Sequence, residues 1–223
     1  MSFLENLLWR RSIKGFVEPT EAFPIPDISP ILYAISEAPS SFRLQPYKVV
    51  VVTNDATKRA ITQTMFHHPQ ISQCTHLLIF CARTDLEDRL EDFVKQTGVS
   101  DEYKNTIEES ISSLSHPTHW AKHQAYIALG FALAAAAEKR ICCCHTDEFS
   151  ANGVASALDL PHNLVPAVIL AIGVHNPERP ESPQFRFPES DVVYHYSEST
   201  PVAKSKYRHT TPVRKRKDKD DYA

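Results

Sequence analysis

Residues 10–14 read Arg10-Arg11-Ser12-Ile13-Lys14, which places two guanidiniums, a hydroxyl and an ammonium within five positions. Such a set can clamp a phosphate through charge-assisted hydrogen bonds and hold one more positive charge further along the same ligand. Basic residues at a helix end also complement its dipole, so this cluster alone names no ligand. A second polar cluster, Pro39-Ser40-Ser41-Phe42-Arg43 followed by Gln45-Pro46, offers hydroxyls and backbone amides between a helix and a strand. Irregular loops fixed by rigid elements commonly form ligand edges, although an ordinary Ser/Pro turn has the same composition. Cys142-Cys143-Cys144-His145 invites a metal reading. A strand sends successive side chains to opposite faces, however, so three adjacent cysteines cannot ligate one tetrahedral ion, and buried small apolar residues are expected instead. His119 and His123 share a helix face but lack the Glu of a zincin motif, so no metal site is expected. His76 reads as a core histidine.

The elements that must position these groups follow from periodicity. Residues 2–10 alternate at helical spacing through Phe3, Leu4, Leu7 and Leu8. Ser29-Pro30 reads as the N-cap and first residue of a helix running to about Ala38 and ended by Pro39. Residues 46–53 and 76–82 are β-branched or apolar runs, hence buried strands, with a helix capped by Asp55 and ending near Met65 between them. Two acid-rich surface helices are expected near 85–97 and 100–114. The strongest helix signal covers 119–139 and is apolar almost all round from 125 to 137, which requires covering on every side. A short strand at 141–144, a helix from Ser150 to about Leu158 and a core strand at 165–173 follow. The segment 175–200 is Pro-rich and reads as irregular. Strands interspersed with helices over one core predict a three-layer α/β or α+β domain.

Composition narrows the function. The 223 residues are 42% hydrophobic and 23% charged, with a net charge of −3, the profile of a globular protein without the global positive field of a nucleic-acid binder. Only five glycines occur, never close together, which excludes the Gly-rich dinucleotide fingerprint and the P-loop. No apolar run reaches the ~20 residues of a bilayer span, and the opening Met-Ser-Phe-Leu-Glu-Asn, with an acid at position 5 and no basic stretch, is not expected to act as a secretory signal. Five cysteines, an odd number, make no disulfide framework, so a reducing, cytoplasmic compartment is expected. Residues 201–223 hold eight Lys/Arg against three Asp, while residues 1–200 are net acidic. This tail is expected to be disordered, with a possible but weak polyanion partner such as nucleic acid through 214–217.

Five segments, in collinear order over about 3–196, resemble the nitroreductase family. They are R-R-S-I-K, the A-P-S-S-x-x-x-Q-P-Y loop running into V-V-V-V, H-H-P-Q-I-S-Q-C-T-H, Trp120-Ala-Lys-His-Gln124-Ala-Tyr126-Ile-Ala-Leu-Gly130, and Phe185-Arg186-Phe187-Pro188. The resemblance implies an α+β, three-layer fold with a central mixed, mainly antiparallel sheet flanked by helices, in an intertwined homodimer. It places the family domain at 1–200 and the basic tail at 201–223. It implies FMN as cofactor, NADH or NADPH as electron donor, and a ping-pong reduction of a small electron-poor acceptor such as a nitroaromatic or quinone. Arg10, within the Arg10-Arg11 pair, and Ser12 match residues that hold the FMN phosphate, joined by Arg186. Lys14 matches the residue at the pyrimidine edge, where a cation stabilises reduced flavin. Pro39, Ser40, Ser41 and Arg43 match the loop that reaches FMN from the partner subunit. His67 and Gln70 match polar contacts to the ring or ribityl chain, and Asp147 and Glu148 match an acid-Gly pair whose backbone faces N5. The flavin carries the chemistry, so no catalytic side chain is assigned.

The chain departs from the family at Arg43 (Asn or Gly in relatives), His67 (Asn), Glu148 (Gly), His145-Thr146 (a Pro-apolar pair) and Gln184 (Lys). These substitutions leave open an alternative: a non-catalytic flavin- or ligand-binding protein of the same fold with a basic interaction tail.

Overall fold

The computed structural model describes residues 2–21, 24–65, 68–179 and 184–195. Contacts divide the chain into Met1–Arg179 and Pro180–Ala223. The expected tail, 201–223, lies outside the described residues.

The first unit is built on a four-stranded sheet of β2 (Tyr47–Val52), β3 (His76–Arg83), β4 (Cys143–Thr146) and β5 (Leu164–Ile172), ordered β2-β3-β5-β4 with every pairing antiparallel. The two central strands are near-continuous apolar runs because both of their faces are covered. Their period of two divides the core. Leu78, Phe80, Val168, Leu170 and Ile172 pack toward α2 (Ser29–Ser36) and α7 (Pro117–Glu138). Leu77, Ile79, Cys81, Ile169 and Ala171 pack with Ile61 of α3 (Asp55–Thr62), Ile71 of α4 (Gln70–Gln73) and Val154 of α8 (Ala151–Ala157). This makes the three expected layers. The acid-rich helices α5 (Leu86–Thr97) and α6 (Asp101–Ser112) close a separate cluster over Leu44, Ala82 and Ala121. Pro166 lies inside β5, opposite a register shift between Phe80 and Cys81, where its missing N–H is tolerated.

Several boundaries differ from the periodic reading, each for a local reason. Ser29 is the first residue of α2, not its cap, and its N–H is taken by the Asp27 carboxylate at 2.9 Å. Helix α2 stops at Ser36, three residues short of Pro39. Asn54, not Asp55, caps α3 by accepting from the Thr57 N–H at 3.0 Å, and that helix ends at Thr62. Strand β4 starts at Cys143 and runs on to Thr146, so His145 and Thr146 belong to it. Cys143 joins the α7 side of the core and Cys142 packs against the other, as alternation requires.

Two features position the site. After α1 (Phe3–Trp9) the chain runs extended beside β4, where Ser12 bridges Cys143 in parallel and the Ile13 N–H donates to the Cys143 carbonyl at 3.1 Å. A two-stranded ribbon of β1 (Phe16–Val17) and β6 (Val174–His175) then ties this segment to the end of β5. Gly173 is required there, because a Cβ would stand 2.8 Å from the Phe16 ring. Helix α7 lays Ala125, Ala128, Ala132 and Ala136 on the sheet, buries Ala121 in the α5–α6 cluster and leaves Tyr126, Ile127, Gly130 and Phe131 exposed. Among the described residues no helix is long and apolar enough to cross a membrane.

The second unit contains α9 (Glu189–Val192) and an edge-to-face pair of Phe185 and Phe187 with centroids 4.9 Å apart.

Candidate functional site

Helix α1 is held by a capping box in which Ser2 and Glu5 satisfy each other's backbone N–H. It ends at Arg10, and the extended segment that follows alternates. Ile13 is buried, whereas Ser12 and Lys14 are exposed. Arg10, Ser12 and Lys14 all act on the Cys144 thiol: burial pushes it up, while Lys14, a hydrogen bond with Ser12, and Arg10 pull it down. Burial and then Arg10 lower His145, which Asp147 counters. The three sequence-predicted donors therefore stand in one row along β4. Arg11 faces the other way, acting on Cys142 and His175, so the structure does not bring it to this row.

The row continues past the end of β4. The Tyr126 hydroxyl of α7 donates to Asp147 Oδ2 at 3.1 Å, and burial together with that carboxylate pushes the phenol up to about 12. The Glu148 N–H points back to Thr146 Oγ1 at 3.3 Å. The Glu148 carboxylate lies 3.3 Å from His68 Nε2, an ion-pair distance rather than an aligned hydrogen bond. On the ring's other side Gln70 Nε2 meets His68 Nδ1 at 3.0 Å. His68 thus joins Gln70 to Glu148 across the site. Sequence reasoning passed over it, and its signal was the second histidine of the pair standing two residues before Gln70. His67 lies outside the described residues.

The serine loop is built differently. Phe42, Arg43 and Gln45 all have left-handed backbone, with φ of 56°, 60° and 44°. For non-glycine residues this costs about 1–3 kcal/mol each and persists only where the surroundings over-determine it. Here they do. The Ser41 N–H donates to the buried Gln124 Oε1 at 2.9 Å, and the Gln45 N–H donates to Ser40 Oγ at 2.8 Å. Gln45 Nε2 donates to the Ser36 carbonyl at 2.7 Å, and Arg89 Nε to the Leu44 carbonyl at 2.7 Å. Arg43 stacks over Phe93 with 5.6 Å from guanidinium carbon to ring centroid, and Pro39 is exposed. The loop leads into β2, one outer strand, whereas the donor row flanks β4, the other. Three strand spacings of about 4.8 Å, or about 14 Å, separate the two edges. One chain does not bring the serine loop to Arg10, Ser12 and Lys14.

Arg186 and Gln184 belong to the second unit, where Arg186 Nη1 donates to the Phe185 carbonyl at 2.6 Å. Among the described residues no group of three or more His, Cys, Asp or Glu is arranged to hold a metal ion.

Comparison with known proteins bears on the fold and the family. The model of the nitroreductase family matches residues 7–174. A Thermus thermophilus protein named NADH dehydrogenase is 32% identical over 197 residues, covering 83% of this chain and 92% of its own. The major NAD(P)H-flavin oxidoreductase of Aliivibrio fischeri is 27% identical over 183 residues, 72% of this chain and 82% of its own. An FMN complex from Exiguobacterium sibiricum, described as a nitroreductase, shares the fold with a TM-score of 0.71 at 17% identity, over 88% of this chain and 98% of that one. The family match runs from the end of α1 to the start of β6 and contains the donor row, the serine loop and the His68 bridge, and on that ground the chain belongs to the nitroreductase family.

Proposed function

We propose that this chain is an FMN-dependent NAD(P)H oxidoreductase that reduces small electron-poor acceptors such as nitroaromatics and quinones by a ping-pong mechanism, as a cytoplasmic homodimer. The observation that carries the reading is the row of half-buried Arg10 and exposed Ser12 and Lys14 along β4 in a member of this family. The fit to FMN rests on the chemistry of that donor set: a guanidinium and a hydroxyl for a phosphate, and an ammonium further on for the anionic edge of a reduced ring. When bound, the flavin supplies a two-electron relay between reduced nicotinamide and acceptor.

The remaining roles belong to the protein. Arg10 and Ser12 hold the phosphate; Arg186 and Gln184, to which the family resemblance gives a phosphate role, belong to the second unit. Lys14 stabilises negative charge at the pyrimidine edge. Gln70, fixed by His68, and His67 meet the ring or ribityl chain. Asp147, anchored by Tyr126, and Glu148 shape the N5 side. The Glu148 N–H must turn from Thr146 to reach N5, or the Asp147–Glu148 backbone serves by another atom.

A second copy supplies Pro39, Ser40, Ser41 and Arg43. Two observations support the dimer: the serine loop and the donor row lie at opposite sheet edges, and α7 leaves Tyr126, Ile127 and Phe131 exposed beside Phe3, Leu4 and Leu8 of α1. Exposed apolar side chains on two helices in contact support an interface. The five free cysteines suit a reducing compartment.

The test is a spectrum. Purified protein incubated with FMN and desalted should stay yellow, and NADH or NADPH should bleach it without air. Protein that retains no flavin refutes the reading, and retained flavin that neither nucleotide bleaches refutes the enzyme.

A further inference from the structure

Helix α7 is closed by two bonds that wrap its last turn. The Ile141 N–H donates to the Ala136 carbonyl at 2.8 Å, and the Arg140 N–H donates to the Ala137 carbonyl at 3.2 Å. Arg140 takes the left-handed position of that turn, with φ of 56°, where glycine is the usual residue because it has no Cβ to strain. A larger side chain persists there only where its surroundings hold it. Trp9 supplies such a hold, for the Arg140 guanidinium carbon lies 4.9 Å from the centroid of the Trp9 ring. Tryptophan is the best aromatic face for a cation, and both residues are half-buried, which limits screening by water. The Glu5 carboxyl, one turn before Trp9 on α1 and held below its usual range chiefly by the Ser2 N–H, is also lowered by Arg140.

Trp9 stands one residue before the proposed phosphate donor. It is the last residue of α1, and Arg10 closes the helix with its N–H on the Asn6 carbonyl at 3.0 Å. Trp9 precedes Ser12 by three positions, and Arg140 precedes Cys143 by three. The stack therefore keeps the parallel register of the Ser12–Cys143 bridge and of the Ile13 N–H bond to the Cys143 carbonyl. It ties the two segments together just before their backbones begin to pair. Within one chain α1 has little else to fix it. Of its seven residues only Asn6 is buried, and a helix of that length is not stable alone. A slip of α1 would swing Arg10 off the row, whereas Ser12 and Ile13 are anchored by their own backbone pairing.

We infer that Arg140 is a positioning residue for the cofactor phosphate: by stacking on Trp9 it fixes the start of the donor row and with it the reach of Arg10. Its effect passes through Arg10. The inference rests on the FMN reading above and extends it to a residue outside the row.

FMN and riboflavin differ only in the phosphate, so the ratio of their affinities isolates what Arg10 grips. The full-length chain, desalted to remove flavin, is titrated with each, and the change in flavin fluorescence gives both Kd values. Arg140→Gly removes the guanidinium and puts the favoured residue at the left-handed position, so its urea midpoint should equal or exceed the parent's. Its FMN affinity should nonetheless fall about tenfold, part of a charge-assisted grip, while its riboflavin affinity stays within about twofold. Trp9→Leu should give the same fall from the other side of the stack, and Arg140→Lys should recover part of it. In an Arg10→Ala background Arg140→Gly should change neither affinity, because the residue through which it acts is gone. A ratio unmoved by Arg140→Gly, equal weakening of both flavins, a fall that tracks a lowered urea midpoint, or a full effect in the Arg10→Ala background overturns the inference alone. A parent chain that binds neither flavin refutes the FMN reading and the inference with it. One that binds both equally refutes Arg10 as a phosphate donor, and Arg140 as its positioner.

Discussion

Gln124 is the residue through which the long helix controls the serine loop, and Gln124→Leu tests that control. Its side chain is buried at 5% exposure, and its Oε1 accepts the Ser41 N–H at 2.9 Å. Leucine keeps most of the volume and removes the acceptor. A buried donor left unpaired costs about 1–3 kcal/mol, but Ser41 is exposed and its N–H recovers some water, which places the loss near 1 kcal/mol. That loss falls on a segment already carrying three left-handed non-glycine residues, so it releases the loop locally before it unfolds the domain. About 1 kcal/mol is about a fivefold rise in the open population. Arg43 is exposed in this loop, so trypsin reports the opening directly: nicking after Arg43 should be about fivefold faster in Gln124→Leu, at protease concentrations where the open fraction limits. If the proposed dimer is right and this loop reaches the cofactor of the other copy, FMN affinity should fall by a similar factor. Gln124→Glu, which retains an acceptor oxygen, should recover most of both. Unchanged nicking together with unchanged FMN affinity would show that Gln124 does not hold the loop.

Three further outcomes follow from the geometry. Arg83 Nη2 meets Asp85 Oδ2 at 2.6 Å, and Asn163 also donates to Asp85; chiefly through Arg83, the carboxyl is held below its usual range. A depressed carboxylate stabilises above its unfolded pKa near ~4 and loses that stabilisation as pH falls through the folded value, so urea midpoints of the wild type should drop below about pH 4 more steeply than those of Asp85→Asn, with Asp85→Asn about 1–3 kcal/mol weaker at pH 7. Equal pH profiles would show that the pair contributes nothing. Phe80 is fully buried between sheet and α7, so Phe80→Ala should cost about 3–5 kcal/mol in chemical denaturation; a loss under ~1 kcal/mol would contradict its packing. Phe131→Asp places a charge on the exposed face of α7 and should convert the proposed dimer to a monomer in sedimentation with loss of retained flavin, while a dimer that persists would refute an interface through α7.

Much of the molecule was legible in order along the chain. The apolar runs at β3 and β5 needed no tertiary information, because a strand covered on both faces is apolar at every position. The caps were less legible. Asn54 and Asp55 have equal claim as side-chain caps, and only the Thr57 N–H at 3.0 Å decides for Asn54. At α2 the Asp27 carboxylate, two residues upstream, takes the Ser29 N–H instead of a cap by Ser29 itself. The donor cluster was visible as composition, but which of its members act together depended on the backbone. Extended geometry puts Arg10, Ser12 and Lys14 on one side and Arg11 with Ile13 on the other.

By itself the sequence determined the identity of the donors, the strands of the core and the helix that is apolar all round, since each is a property of composition or of a short period. The tertiary structure decided that the serine loop and the donor row stand at opposite edges of one sheet, and that His68 spans from Gln70 to Glu148. Strand order arises from pairings between residues far apart in the chain, and β3 joins β5 across more than eighty positions with no local trace of its neighbour. A contact such as His68 with Glu148 exists only after that pairing has brought α4 and the end of β4 together.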